Sequence, residues 1–84
     1  MTLSDLVRSK DPIIANTANL TVSTMAAFQA KEISVAEYAE LMKNILDFEA
    51  VKKLTDDMNR QNEIANALSE LESIASALSS LTSL

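Results

Sequence analysis

The apolar residues in the stretch 38–78 recur in steps of three and four, and this spacing constrains the fold more than any other feature. It places side chains on one face of an α-helix, whereas a half-buried β-strand alternates at every second residue. The chain has no glycine and one proline, so it lacks the turn chemistry that a sheet needs. The sequence therefore predicts an all-α fold. The recurring positions are Tyr38, Leu41, Ile45, Phe48, Val51, Leu54, Met58, Ile64, Leu68, Leu71, Ala75 and Leu78.

Ser34 is the clearest helix start in the chain. Ser34 and Glu37 fit a capping box, in which each side chain accepts a hydrogen bond from the backbone N–H of the other residue. Ile33 and Tyr38 occupy the two positions of a hydrophobic staple around this cap. We expect a helix to begin here.

Residues 34–84 are predicted to form one long helix or two helices with a single kink. The apolar spacing slips in phase near Phe48 and again between Met58 and Ile64, and such slips overwind or kink a helix. Asp47 can cap a new helix, so we place the kink near this residue. A continuous helix would be about 75 Å long, which is more than a small domain can cover from one side.

The amino-terminal part is predicted to form two shorter helices. Residues 1–10 can form a short amphipathic helix, which must pack on another element or act as an arm because it is too short to be stable alone. Asp11 followed by Pro12 is a typical helix start, and the second helix then runs to about Ala30. A short connection folds it back on the following helix as a helical hairpin. The predicted hairpin core consists of Met25, Phe28, Ile33, Tyr38, Leu41 and Ile45.

We predict one helical domain, residues 1–84, with three parts. Residues 1–10 form the short helix or arm, residues 11–50 the hairpin and residues 51–84 a long carboxy-terminal assembly helix. This last part is expected to extend beyond the hairpin with an uncovered apolar face and to associate in a coiled-coil-like manner. The predicted interface consists of Ile64, Ala67, Leu68, Leu71, Ile74, Ala75, Leu78 and Leu81.

A second stripe of the same helix is small, polar and uncharged. It indicates either a face that meets neighbouring helices or a solvent-exposed face that is rich in serine. Gln61 and Asn62 lie at the second phase slip, where polar residues can specify helix register. The stripe, hereafter the polar ribbon, consists of Asn59, Asn62, Asn66, Ser69, Ser73, Ser76, Ser80 and Ser83.

The net charge of −5 argues against nucleic acid and anionic membrane surfaces as partners, because both require clustered Lys and Arg. Residues 12–30 carry no charge and are long enough to span a membrane. Their asparagines, glutamine and threonines favour a helix buried between neighbours instead. No signal peptide is recognisable, so the cytoplasm is the expected location.

Catalytic chemistry has few candidates in this chain. It contains no histidine, cysteine or glycine, which excludes disulfides and disfavours the common nucleophile–base pairs, zinc sites and phosphate-binding loops. The remaining carboxylate pairs are interpreted as solvated helix surface. We therefore predict no catalytic, cofactor-binding or metal-binding residue and no enzymatic activity. The carboxylate pairs are Glu37 with Glu40, Asp56 with Asp57, and Glu63 with Glu70.

The segment 31–46 resembles a helical hairpin pattern of small structural proteins of tailed bacteriophages. The resemblance covers residues 28–80, although Glu32 stands where that pattern usually has a turn glycine. It implies a virion or assembly component present in many copies, and it carries over no catalytic residue. The matching residues are Lys31, Glu32, Ile33, Ser34, Glu37, Tyr38, Glu40, Leu41, Met42, Ile45 and Leu46.

The sequence thus predicts a non-enzymatic helical structural or assembly protein. It is expected to form a homo-oligomer or to bind another helical protein through its carboxy-terminal helix, in the cytoplasm or in a virion, without a cofactor. The alternative is a small acidic regulatory protein that binds and blocks a protein partner. A small membrane protein using residues 12–30 ranks third and an enzyme fourth.

Overall fold

The computed structural model describes the backbone of residues 2–82 and the side chains of residues 2–80. This part of the chain forms five α-helices and no strand, which confirms the all-α prediction. The helices are α1 (Leu3–Val7), α2 (Pro12–Gln29), α3 (Val35–Ile45), α4 (Phe48–Lys52) and α5 (Met58–Thr82).

Each described helix begins at a polar side chain that accepts hydrogen bonds from its first N–H groups. The predicted capping box of α3 is present: the N–H of Glu37 donates to Ser34 Oγ at 3.1 Å, and the N–H of Ser34 donates to Glu37 Oε1 at 3.0 Å. The bond from the Ser34 N–H to the carboxylate is the largest effect that lowers the pKa of Glu37 below its ordinary value. The five caps are Thr2, Asp11, Ser34, Asp47 and Asp57.

The prediction of one long helix, or of two helices with one kink, is wrong for residues 34–82. The chain leaves the helical conformation after Ile45, and Asp47 caps a separate short helix, α4. A second interruption separates Lys52 from Met58. The chain can therefore turn twice, which a kinked rod could not do.

Side-chain hydrogen bonds hold the second interruption in place. Asp57 Oδ1 accepts from the N–H groups of Asn59 at 2.9 Å and Arg60 at 3.2 Å, and so caps α5. The side-chain amide of Gln61 donates to the carbonyl oxygens of Thr55 at 2.8 Å and Lys52 at 3.3 Å. Gln61, predicted to specify register, thus supports the connection that lets α5 turn back on the other helices.

The turn between α4 and α5 places the apolar face of α5 in the main core. Side chains of α1, α2 and α4 cover this face, and Leu6 of α1 is only 1% exposed. The expected uncovered extension of residues 51–84 is therefore wrong for the described residues. The main cluster consists of Leu6, Ile14, Ala18, Val51, Ile64, Ala67, Leu68 and Leu71.

A second, smaller core joins α2 and α3 to the carboxy-terminal half of α5. Of the predicted hairpin core, Met25, Phe28, Ile33 and Tyr38 lie in this cluster. Leu41 is instead 40% exposed, and Ile45 is partly buried outside the cluster. Met42, one turn after Tyr38, is the residue of α3 that joins Tyr38 in this cluster, in place of the predicted Leu41 and Ile45.

The connection between α2 and α3 contains a strained residue. The N–H of Lys31 donates to the carbonyl of Phe28 and the N–H of Glu32 to the carbonyl of Ala27, which is a Schellman motif after the C-cap Ala30. The motif requires a left-handed residue at Lys31, whose φ is 62°. Glycine usually occupies this position because it has no Cβ to clash.

The strain at Lys31 predicts that Lys31→Gly stabilises the fold. Removing the Cβ relieves the left-handed strain, partly offset by the greater freedom of glycine in the unfolded chain, for a net gain of about 0.5–1 kcal/mol. Urea unfolding measures this gain. Lys53→Gly is the matched control, because Lys53 is an exposed helix end with φ −72° and should lose stability. An equal loss in both variants would contradict this interpretation.

An ion pair ties the start of α2 to the start of α5. The Arg60 guanidinium donates to both carboxylate oxygens of Asp11, at 3.0 Å and 2.8 Å. The same carboxylate accepts from the N–H of Ile13 and caps α2. The Arg60 hydrogen bond is the largest effect that holds the pKa of Asp11 below its ordinary value of 3.8.

Because the pKa of Asp11 is lowered in the folded chain, the Asp11 carboxylate contributes its full stabilisation of the fold above pH 3.8. This stabilisation is lost as the pH falls through the folded-state pKa. Asp11→Asn keeps a good N-cap but removes the charge that pairs with Arg60. We expect a lower urea midpoint than the wild type at neutral pH and a shrinking difference below 3.8. Asp56→Asn, at an exposed position, is the control. A difference independent of pH would refute the role of the ion pair.

Candidate interaction surface

An open groove lies between α3 and α5, next to the second core. It has a volume of about 390 Å³ and is lined by residues of these two helices and of the turn that follows α3. We call it the α3/α5 groove. Its lining residues are Tyr38, Ala39, Met42, Lys43, Leu46, Glu72, Ala75, Ser76 and Ser79.

Buried side chains form the floor of the groove and join its two walls. The Tyr38 hydroxyl donates to the carbonyl oxygen of Ala75 at 2.8 Å. The Tyr38 ring stacks on Phe28 of α2, with a centroid distance of 4.3 Å and an interplanar angle of 16°. Burial raises the pKa of Tyr38 above its ordinary value. Met42 and Ala75 complete a floor that is apolar apart from this hydroxyl.

The rim of the groove carries one charge of each sign. Lys43 stands on the α3 side and Glu72 on the α5 side, and both are exposed. Neither forms an ion pair with another residue in the described part of the chain. Ala39 and Ser76 are small, exposed rim residues. The two walls therefore offer opposite charges around a small-residue, apolar depression.

Most of the predicted interface is in the monomer core rather than at a surface. Ile74 and Leu78 are partly buried, and the side chain of Leu81 lies outside the described residues. Ala75 lines the α3/α5 groove. Four of the buried members lie under α1, α2 and α4 in the main core, and Ala75 lies in the second core. Apolar spacing along α5 could not predict which helices cover this face. The buried members are Ile64, Ala67, Leu68, Leu71 and Ala75.

The polar ribbon faces solvent at every position that the structure describes, from Asn59 to Ser80, while Ser83 lies outside the described residues. Ser76 joins the ribbon to the rim of the α3/α5 groove. The ribbon is therefore an exposed strip of small, polar side chains along α5, next to the exposed carboxylates Glu63 and Glu72. Ile64, Leu68 and Leu71 of the same helix face the core.

Two large apolar side chains stand out at the connection between α4 and α5. Leu54 is 67% exposed and Met58 is 73% exposed. Both belonged to the recurring apolar positions of the sequence, but the interruption before α5 turns them away from the core. They add a second exposed apolar feature at a different place from the groove.

The carboxylates singled out in the sequence lie at helix starts or on the helix surface, with Glu63 exposed and Glu70 partly buried. Glu37 caps α3, Asp57 caps α5, and Glu40 and Asp56 are exposed. Among the described residues, no three carboxylates come together in a way that could hold a metal ion. Glu72 is the one carboxylate that lines the groove.

Comparisons with known protein families, with curated proteins and with solved structures find no match for this chain. No helix in the described range 2–82 has the length and apolar character needed to cross a membrane.

The contact between Tyr38 and Ala75 predicts the effect of Tyr38→Phe. The variant keeps the ring stacked on Phe28 but loses the hydrogen bond to α5, which should cost about 0.5–1.5 kcal/mol. Tyr38→Ala also leaves a cavity and should cost about 3–5 kcal/mol. Chemical denaturation measures both values.

The same hydroxyl predicts a change at alkaline pH. Since the pKa of Tyr38 is raised in the folded chain, its contribution to the stability of the fold is complete below pH 10.0. This contribution is lost as the pH rises through the folded-state pKa. The wild type should therefore lose stability relative to Tyr38→Phe at high pH, because a buried phenolate is poorly solvated and cannot donate to the Ala75 carbonyl. The chain has one tyrosine, so tyrosinate absorbance reports this titration directly. A wild-type advantage over Tyr38→Phe that is unchanged after complete ionisation would contradict the assignment.

Proposed function

We propose that this chain is a non-enzymatic helical structural or assembly protein that associates through the surface formed by α5 and α3. The observation that carries the proposal is the α3/α5 groove, with its apolar floor and exposed rim. A helix laid in such a groove would bury apolar surface without needing any catalytic group. The partner is a second copy of the chain or another helical protein.

The carboxy-terminal helix α5 is central to this proposal. The face proposed for association is not the apolar face predicted from the sequence. The inner face of α5 is occupied by the core, so association uses the face that bears the groove wall and the polar ribbon. Small side chains such as Ser76 allow the axes of two helices to approach closely. The association is coiled-coil-like in that helices pack side by side.

The resemblance of segment 31–46 to small structural proteins of tailed bacteriophages supports an assembly role in a virion. An assembly component is used in many copies, so weak contacts on each copy can add up to a stable structure. The cytoplasm is the location in which such a component would accumulate before assembly.

A small acidic regulatory protein that blocks a protein partner is the second candidate. It is favoured by the net charge of −5 and by the exposed Leu54 and Met58. Such a protein would present these side chains to a basic, partly apolar surface of its target. It would remain monomeric without the target.

The proposal predicts that a bulky charge at the rim of the groove weakens association. Ser76→Arg should lower the average mass in light scattering after size exclusion, measured over about a hundredfold range of concentration. Asn62→Arg places the same side chain on the same exposed face of α5, away from the groove, and should behave as the wild type. Circular dichroism verifies that both variants remain folded.

The outcomes separate the two candidates. A wild-type mass that exceeds 9.1 kDa and falls in Ser76→Arg supports the assembly role. Association that both arginine variants retain in full would exclude the groove as the surface of contact. A wild-type mass of 9.1 kDa at every concentration would leave a different protein as the partner.

A further inference from the structure

We infer that the walls of the α3/α5 groove pack against the same walls of a second copy of this chain, related by a two-fold axis that sets Lys43 of each protomer against Glu72 of its partner. This inference rests on the proposed function and names the partner and the pairing.

The charges on the rim meet the requirement of a two-fold interface. In such an interface the same patch faces itself, so each group must be complementary to another group of that patch. The α3/α5 groove has one cation, Lys43, on one wall and one anion, Glu72, on the other. A two-fold axis through the groove can bring these two groups together twice.

Charge also explains why two copies should meet at this place. Each chain has a net charge of −5, so copies repel each other unless the contact is locally neutral. The depression on α3 lined by Ala36, Glu37, Glu40 and Leu41 contains two carboxylates and no cation. The depression on α5 around Ser73 and Ile74 contains Glu70 and no cation. By contrast, the charges of the residues that line the α3/α5 groove, Lys43 and Glu72, sum to zero.

The shape of the groove is compatible with a copy of itself. Ala39 and Ser76 on the rim are small, so the backbones of facing helices can approach. Met42 in the floor has an unbranched, adaptable side chain that can fill an irregular interface. Because Tyr38, Met42 and Ala75 of the floor are already buried in the single chain, the contact is made by the exposed walls, and a wall of each copy would lie along the groove of the other.

Charge reversal tests the pairing. Lys43→Glu and Glu72→Lys each turn two attractive contacts of the dimer into repulsive ones, so each should weaken self-association about tenfold at low ionic strength. An equimolar mixture of the two variants restores opposite charges at both contacts, and the double variant restores them with reversed polarity. Both should recover association close to that of the wild type in sedimentation equilibrium.

Controls and outcomes distinguish this inference from the proposed function. Lys53→Glu and Glu63→Lys change the net charge by the same amounts at exposed positions outside the groove and should not show recovery on mixing. Self-association without recovery in the mixture would overturn the pairing and leave the assembly function with another surface. A monomeric wild type at all concentrations would overturn the inference and leave only a different protein as partner.

Discussion

The contact of Tyr38 with Ala75 joins α3 to the carboxy-terminal half of α5, two parts of the fold that lie 37 residues apart in the sequence. The Tyr38 ring stacks on Phe28 of α2, and its hydroxyl reaches the backbone of α5. One side chain thus joins three helices around the smaller core. Its hydrogen bond is buried, and a buried polar group without a partner lowers the stability of the fold more than an exposed one does. The same contact sets the separation of α3 and α5 and therefore the floor of the α3/α5 groove.

Local features of the sequence predicted the helix starts well, because caps act within a few residues. Ser34, Asp11 and Asp47 each accept hydrogen bonds from the helix that follows. As part of the pair Asp56–Asp57, Asp57 is predicted to be a surface charge, although an Asp directly before an apolar residue is also a cap signal. Recognising it would have located the start of α5 at Met58. The turn at Lys31 had no such signal, since the Schellman motif there uses a lysine in place of glycine.

The arrangement of the helices in space was not predictable from the same patterns. Periodicity showed that α5 has an apolar face but did not show what covers it. A rod with an exposed seam and a compact bundle with that seam inside have the same spacing in sequence. The bundle follows from the break between Lys52 and Met58 and from α1, which adds Leu6 to the core. The two phase slips of the sequence flank this break, near Phe48 and between Met58 and Ile64, and do not mark its place. The candidate surface is consequently the groove beside the apolar seam of α5, because the seam itself is part of the core.

The central claim is that α5 folds back on the α2–α3 hairpin within one chain, so that its apolar face is core and its outer face is available for association. Nuclear Overhauser contacts test this most directly in a dilute sample whose mass is that of a single chain. The account predicts contacts between the ring protons of Tyr38 and the methyl group of Ala75, together with contacts between Leu6 and Leu71. A spectrum in which Tyr38 contacts only α2 and α3, and Leu71 contacts no other helix, would contradict it.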